Sequence, residues 1–377
     1  MDGCRACAVG FWSLLVISGF TISTVIGQEP QTDFSAPPNA QQVGESLPQT
    51  TASPYLDEQD RGLLPPIPQS LPRGRARSSS AVPAGNERSP VRFAATWMPG
   101  QQVQGQATDL ALGGLQANLA LPVRIAPDGR WIWLATSGFE YLQIDTGAIL
   151  PDSQVAVPAE LWKLSVGTMH FREFDNGWKA GGLFSVGTAS DQPFADLRDL
   201  TLTSLAFLDI PNGPRDAWNL SLFYSPTSQL PFPIPGAAYV WRPSERFSAN
   251  IGVPFSFRYQ PTDAWTLTAD YRPLTAVNLR VGRALGNEWS VYARYEIVNE
   301  TFWLAERTNS QDRLYLFDQR AALGIERSLP AGFKLDLNAA YVFDRSIFQA
   351  ESFSDSRRDV LNISPGAAIS LLLHWSR

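Results

Sequence analysis

Cysteine, histidine and methionine are nearly missing from this chain of 377 residues, which holds 2, 2 and 3 of them. Both cysteines, Cys4 and Cys7, precede an apolar N-terminal stretch, so a chain cleaved after that stretch keeps neither. A small scaffold stapled by disulfides is thereby excluded. Metal binding needs clustered His, Cys or carboxylate ligands, and that spacing is absent. His170 and His374 lie in separate alternating segments, with no nucleophile and oriented base grouped around either. No catalytic, metal or cofactor-binding residue is therefore expected, and the chain reads as a non-enzyme. Charge is sparse too: 18% of residues, against about 25% in average soluble domains. With a net charge of −6 and no long basic run, there is no electrostatic footprint for nucleic acid. No helical stripe of any length stands out.

Tryptophan, by contrast, is abundant at 12. Four of these residues follow an Asp or Asn by two positions: Asn176-Gly-Trp178, Asp216-Ala-Trp218, Asp263-Ala-Trp265 and Asn287-Glu-Trp289. Asx side chains bond the local backbone and favour tight turns. An alternating apolar/polar run follows each unit, and such a run places alternate side chains on opposite faces of a strand. The repeated unit is thus turn, aromatic anchor, two-faced strand, and it predicts an antiparallel all-β architecture.

Composition divides the chain into three parts. In residues 1–27, Arg5 precedes an apolar stretch from Ala8 to Ile26, and Val25-Ile-Gly27 offers small-residue spacing for cleavage near Gln28. This predicts a secretory signal peptide; a retained membrane anchor is the rival reading. Residues 28–90 hold 11 prolines with many Gln, Ser and Ala, and Arg73, Arg75 and Arg77 run into Ser78-Ser79-Ser80. Such a segment cannot bury enough surface to offset its ordering entropy, so a disordered leader is predicted, with a Pro-rich tether or wall-binding arm as the functional alternative. From Val91 to Arg377 the texture is strands and turns. Strand candidates cover 91–98, 108–121, 131–145, 160–171, 178–189, 198–210, 218–224, 235–241, 247–260, 265–271, 276–284, 289–297, 318–327, 333–343 and 360–375. The stretches 299–317 and 344–358 read as long loops.

The apolar faces carry aromatics at both ends. Trp218 and Tyr224, Trp265 and Tyr271, and Trp289 and Tyr295 lie six residues apart, and Phe333 and Tyr341 eight apart. At ~3.3 Å per residue these pairs span roughly 20 to 26 Å along the strand. An apolar band about 25 Å tall with aromatic girdles marks an outer-membrane barrel, because Trp and Tyr suit a rim that is half apolar and half wet. With Trp178, these nine residues are the predicted membrane-rim aromatics. The soluble alternative, a large β-sandwich or propeller, explains the alternation but not the clustering of aromatics at strand ends. Strands of about ten residues plus turns predict about 12 strands, within a range of ten to fourteen. One segment resists this scheme. If all four Asx-x-Trp turns lie on one side of the membrane, an even number of strands separates each pair, yet 247–260 is too short for two full spans. Either a strand there is very short or the turns are divided between the sides.

The stretch Phe232-Pro-Ile-Pro-Gly-Ala-Ala-Tyr-Val-Trp-Arg-Pro243, followed by Gly252-Val-Pro-Phe255, Arg258-Tyr-Gln-Pro261 and Trp265, resembles a family of bacterial outer-membrane β-barrel proteins whose domain has no known function, found among exported proteins of planctomycete-type bacteria. The resemblance covers most of 91–377. It implies a transmembrane barrel in the cell outer membrane with lipid as its surroundings; it implies no substrate and no catalytic residue.

The functional candidates are charges on the polar faces of strands: Arg258, Asp270, Arg280, Arg294, Glu296, Lys334 and Asp336. In a barrel these face the lumen, where charges set the selectivity of an open pore. Mixed signs could instead pair across the lumen and fill it, since buried charges persist only when paired. Three functions follow: a small-solute channel or passive transporter, a plugged barrel with a structural or envelope-interaction role, and a soluble exported β-protein that binds polysaccharide through its aromatics.

Overall fold

The structure, a computed structural model, describes residues 90–226, 232–272, 276–307 and 309–375. The predicted signal peptide (1–27) and Pro-rich leader (28–90) lie outside the described residues, save for residue 90. The strands are β1 (Val91–Gln102), β2 (Asp109–Ile125), β3 (Trp131–Thr146), β4 (Glu160–Glu173), β5 (Lys179–Ser190), β6 (Leu200–Asn212), β7 (Asp216–Tyr224), β8 (Ile234–Ser244) and β9 (Phe247–Gly252). They continue as β10 (Phe255–Tyr259), β11 (Trp265–Arg272), β12 (Ala276–Ala284), β13 (Trp289–Phe302), β14 (Arg313–Ser328), β15 (Phe333–Ala350), β16 (Arg358–Ile363) and β17 (Gly366–Trp375).

Each strand from β1 to β15 pairs antiparallel with its neighbour in sequence, and β17 pairs with both β15 and β1, so the sheet closes on itself. The last wall position is shared. β16 pairs with the upper part of β15 (Arg345↔Ile363) and β17 with the rest of it (Phe333↔Trp375). Between them stand Ser364 and Pro365, and a proline cannot donate to the ladder. Seventeen segments with two sharing one place give a ring of sixteen. Closure removes the free edges that an open sheet would expose.

The expected count of about 12 is therefore corrected to 16. Two things misled the length argument. The turns at one rim take only two to five residues (for instance 245–246 and 174–178), so little chain is spent between strands. The segment 247–260 also holds two strands, β9 and β10, of 6 and 5 residues. All four Asx-x-Trp units sit at this same turn rim, at or just before β5, β7, β11 and β13, and an even number of strands separates each pair. Both strands at 247–260 are short, and the turns are not divided. The two predicted long loops are shorter than read, because β13 runs on to Phe302 and β15 to Ala350.

Local chemistry explains the turns. The Trp178 N–H donates to Asn176 Oδ1 at 3.1 Å, and the Phe174 N–H to the Trp178 carbonyl at 2.9 Å. Asp216 accepts from the Arg242 N–H and the Tyr239 hydroxyl, both at 2.8 Å, tying β7 to β8. The Arg246 guanidinium reaches Asp263 at 2.7 Å. At the tip of the β9–β10 hairpin Gly252 has φ of 152°, and a Cβ there would stand 2.3 Å from the Ala237 carbonyl oxygen. Only glycine takes that place without displacing β8.

Candidate lumen site

The two faces of the wall differ in the sense opposite to a soluble protein. Outward positions are apolar and open: Trp97, Leu121, Val166, Leu323 and Tyr341 are each more than half exposed. Inward positions hold the charges, and Glu140, Lys163, Asp270, Glu296, Glu300, Arg320 and Asp336 are all buried. A water-soluble fold gains nothing from that arrangement.

Strand register lays the inner face out in rows. One row is polar and crosses six strands as directly paired residues: Asn250, Ser256, Asp270, Asn278, Glu296 and Arg320. The row below it, toward the turn rim, is Ser248, Arg258, Thr268, Arg280 and Arg294. Three arginines thus face the lumen in one row, Arg280 and Arg294 as direct neighbours and Arg258 one place beyond Thr268. Arg280 reaches Glu326 at 3.3 Å and lies 3.9 Å from the centre of the Tyr292 ring. Arg294 reaches Glu296 at 3.1 Å. Lower still, Lys334 stands 3.8 Å from Glu326, and the Tyr292 hydroxyl donates to Asp336 at 2.6 Å. All seven sequence-predicted charges lie on this inner surface. Arg280, Arg294, Glu296, Lys334 and Asp336 join in one network, whereas Arg258 makes no ion pair among the described residues.

The facing wall is different. Leu134, Met169, Leu183, Leu205, Phe223 and Ile234 form a single paired row on the inner side of β3 to β8, and all six are buried. So an apolar row on β3 to β8 stands opposite the charged rows of β9 to β14, although β3 and β4 also carry the inward Glu140 and Lys163.

At the loop rim the two sides meet. β5 and β13 stand eight places apart in a ring of sixteen, hence diametrically opposite. Yet Ser190 bridges to Trp303, the Trp303 N–H donates to the Ala189 carbonyl at 2.8 Å, and the Asp191 N–H returns to the Trp303 carbonyl at 3.3 Å. Arg307 and Asp199 pair at 3.1 Å in the same contact. An apolar cluster including Leu142, Leu161, Phe302, Leu304, Leu314 and Ile347 packs below the crossing. Beneath it Lys163 Nζ lies 3.6 Å from Glu140 and 3.7 Å from Glu300, bridging β4 and β3 to β13 across the lumen. A cavity of about 40 Å3 remains between Thr96, Gln116, Glu140, Glu300 and Arg320, enough for about three or four waters at roughly 10–15 Å3 each. The barrel is flattened and pinched, not round and open.

Sequence reading did not single out Lys163, Glu140 or Glu300. The first two carry the signal used elsewhere, a charge between outward aromatic or apolar neighbours (Phe139 and Tyr141; Trp162 and Leu164). Glu300 fell in a stretch read as loop. The nine rim aromatics lie on the outer face; Trp178, Trp218, Trp265 and Trp289 sit at the turn rim, and Tyr341 is 57% exposed. The histidines part company: His170 stacks on Trp133 outside, with ring centres 4.4 Å apart, while His374 is buried on the inner face. Among groups outside the strands, Arg130 is held above its ordinary range by its hydrogen bond to Asp175 in the neighbouring turn.

A family model described as a domain of unknown function (DUF6268) matches residues 98–279, which spans β2 to β11 and parts of the strands on either side. No curated protein matches this chain. Among solved structures, the β domain of the Bordetella autotransporter BrkA is similar at 13% identity, covering 77% of this chain and 99% of that one, with a TM-score of 0.29. An outer membrane channel from Pseudomonas putida F1 is similar at 9% identity, covering 81% and 99%, with a TM-score of 0.32.

Proposed function

We propose that this chain is an outer-membrane β-barrel that passes small solutes through a narrowed lumen, without enzymatic chemistry. The observation that carries the reading is the inversion of the wall: apolar side chains outside, buried charges inside, in a closed ring of sixteen strands. Lipid is the solvent that rewards such an exterior. The turn rim, with its short connections, would face the periplasm, and the loop rim the exterior. A sixteen-stranded ring is wide enough for an aqueous channel, and the contact between β5 and β13 is what narrows it here.

That same contact favours a second reading, a barrel whose lumen is shut and whose role is structural. Conductance in planar bilayers separates the two. The channel reading expects small unitary currents in the intact protein, and larger ones after Trp303→Gly loosens the crossing. A folded, inserted protein that stays silent with and without Trp303→Gly would rule out conduction.

A further inference from the structure

Several arginines of the turn rim have a carboxylate of this chain beside them. Arg246 reaches Asp263 at 2.7 Å, Arg327 stands 3.7 Å from Glu288, and Arg130 pairs with Asp128 and Asp175 of the turns at 126–130 and 174–178. Arg124 and Arg172 are exposed and have no ion pair among the described residues. They lie on aromatic rings instead, the Arg124 guanidinium 5.3 Å from the centre of Trp131 and that of Arg172 5.2 Å from Phe174. Register brings the two together. Trp131 pairs with Arg172, and Trp133 with both Arg124 and His170. The His170 ring centre lies 4.4 Å from Trp133 and 6.3 Å from Trp131. Two indoles and an imidazole thus stand between two guanidinium groups on the outer face of β2, β3 and β4. Arg124 is there because of an irregularity. Alternation along β2 puts Leu121 outward and Pro122 inward, and would return Arg124 to the inner side. The register slips between Pro122 and Arg124, leaving Val123 as an extra residue, and Arg124 emerges opposite the outward Trp133. A bulge of this kind re-aims a side chain. Of the carboxylates close by, Asp128 and Asp175 are engaged by Arg130, and Glu173 falls on the inner side of β4, opposite Lys179.

We propose that this patch binds the headgroup of an anionic glycerophospholipid in the leaflet around the turn rim, with Arg124 and Arg172 holding the phosphate. This rests on the membrane reading above. Tryptophan settles at the headgroup level, so cations beside Trp131 and Trp133 meet phosphate, not hydrocarbon. A guanidinium donates paired hydrogen bonds to phosphate oxygens. Toward mid-wall the same face is apolar and open at Leu121, Val123 and Val166, which gives the acyl chains a surface to lie on. Two cations against the single charge of a phosphodiester favour a net-negative lipid such as phosphatidylglycerol. A zwitterionic head would bring an amine that they repel. The rim holds another exposed arginine on a ring, Arg283, 5.4 Å from the centre of Trp265. Its paired neighbours are Trp265 and Val291, so it lacks the second cation that the patch on β2 to β4 supplies.

The test folds the full chain into phosphatidylcholine liposomes, extracts it in mild detergent and follows retained phosphatidylglycerol by native mass spectrometry as that lipid is titrated. Phosphatidylglycerol should be retained in preference to phosphatidylcholine. Arg124→Gln and Arg172→Gln should each weaken its apparent affinity about tenfold, the loss of one charge-assisted contact. Arg172→Lys should recover part of that loss, and Arg283→Gln should change nothing. Heat-modifiable gel migration checks that each variant is folded. Folded variants at Arg124 and Arg172 that retain the lipid as the unaltered chain does overturn the site alone. An equal loss in Arg283→Gln also overturns it, since the rim would then attract anionic lipid at large. Displacement of the lipid by an excess of inorganic phosphate overturns the lipid as occupant in favour of a free anion. Failure of the unaltered chain to float with liposomes overturns the membrane reading and the site together.

Discussion

At the scale of single residues, environment on either side of one strand decides which side chains are tolerated. Leu323, on the outer face of β14, is 70% exposed, which in water would be a liability and in lipid is a gain. Leu323→Arg should therefore cost about 2–4 kcal/mol in urea titrations of the barrel folded in liposomes, as expected for a cation near the bilayer midplane. A shift near zero would place that face in water. Inside, Lys163 holds Glu140 and Glu300 together. Removing one member of a buried charge group leaves the others uncompensated, at a cost of about 3–5 kcal/mol. Lys163→Met should show that loss in the same titration, and adding Glu300→Gln should recover part of it. Full stability in Lys163→Met would mean the cluster is solvated.

At the scale of elements, the informative ones are those that break the regular pattern. The β9–β10 hairpin turns at Gly252, whose positive φ and close approach to Ala237 exclude a side chain. Gly252→Ala should destabilise the barrel by about 1–3 kcal/mol through backbone strain, read as a lower urea midpoint. An unchanged midpoint would show that the hairpin can relax away from β8. How far this element was legible in sequence is instructive. The period-two alternation in 265–271 and 289–297 says which residues share a face, because it depends only on each strand's own pleat. It also marked 247–260 as too short for two full spans. It could not say that two strands fit there nonetheless, because strand ends are set by where neighbours stop pairing. The loop readings of 299–317 and 344–358 erred for the same reason. Phe302 and Phe348 are buried by partners distant in sequence, and no local rule foresees those partners.

At the scale of the whole molecule, the outer-membrane reading proposed above rests on a closed ring with an apolar exterior. Membrane fractionation should recover the protein in the outer-membrane fraction, with migration on gels that changes on heating; recovery wholly in the soluble periplasm would defeat the reading. By itself the sequence determined the all-β class, the two-faced strands and the surplus of outward aromatics. Each follows from residues within a few positions of one another, where pleat and turn chemistry act. Only the tertiary structure decided the ring of sixteen, the crossing of β5 by β13, the meeting of Lys163 with Glu300 and the short pair β9 and β10. Those depend on which strands become neighbours around the closed ring and which stand opposite, and pairs such as Ser190 and Trp303 are brought together only when the sheet closes.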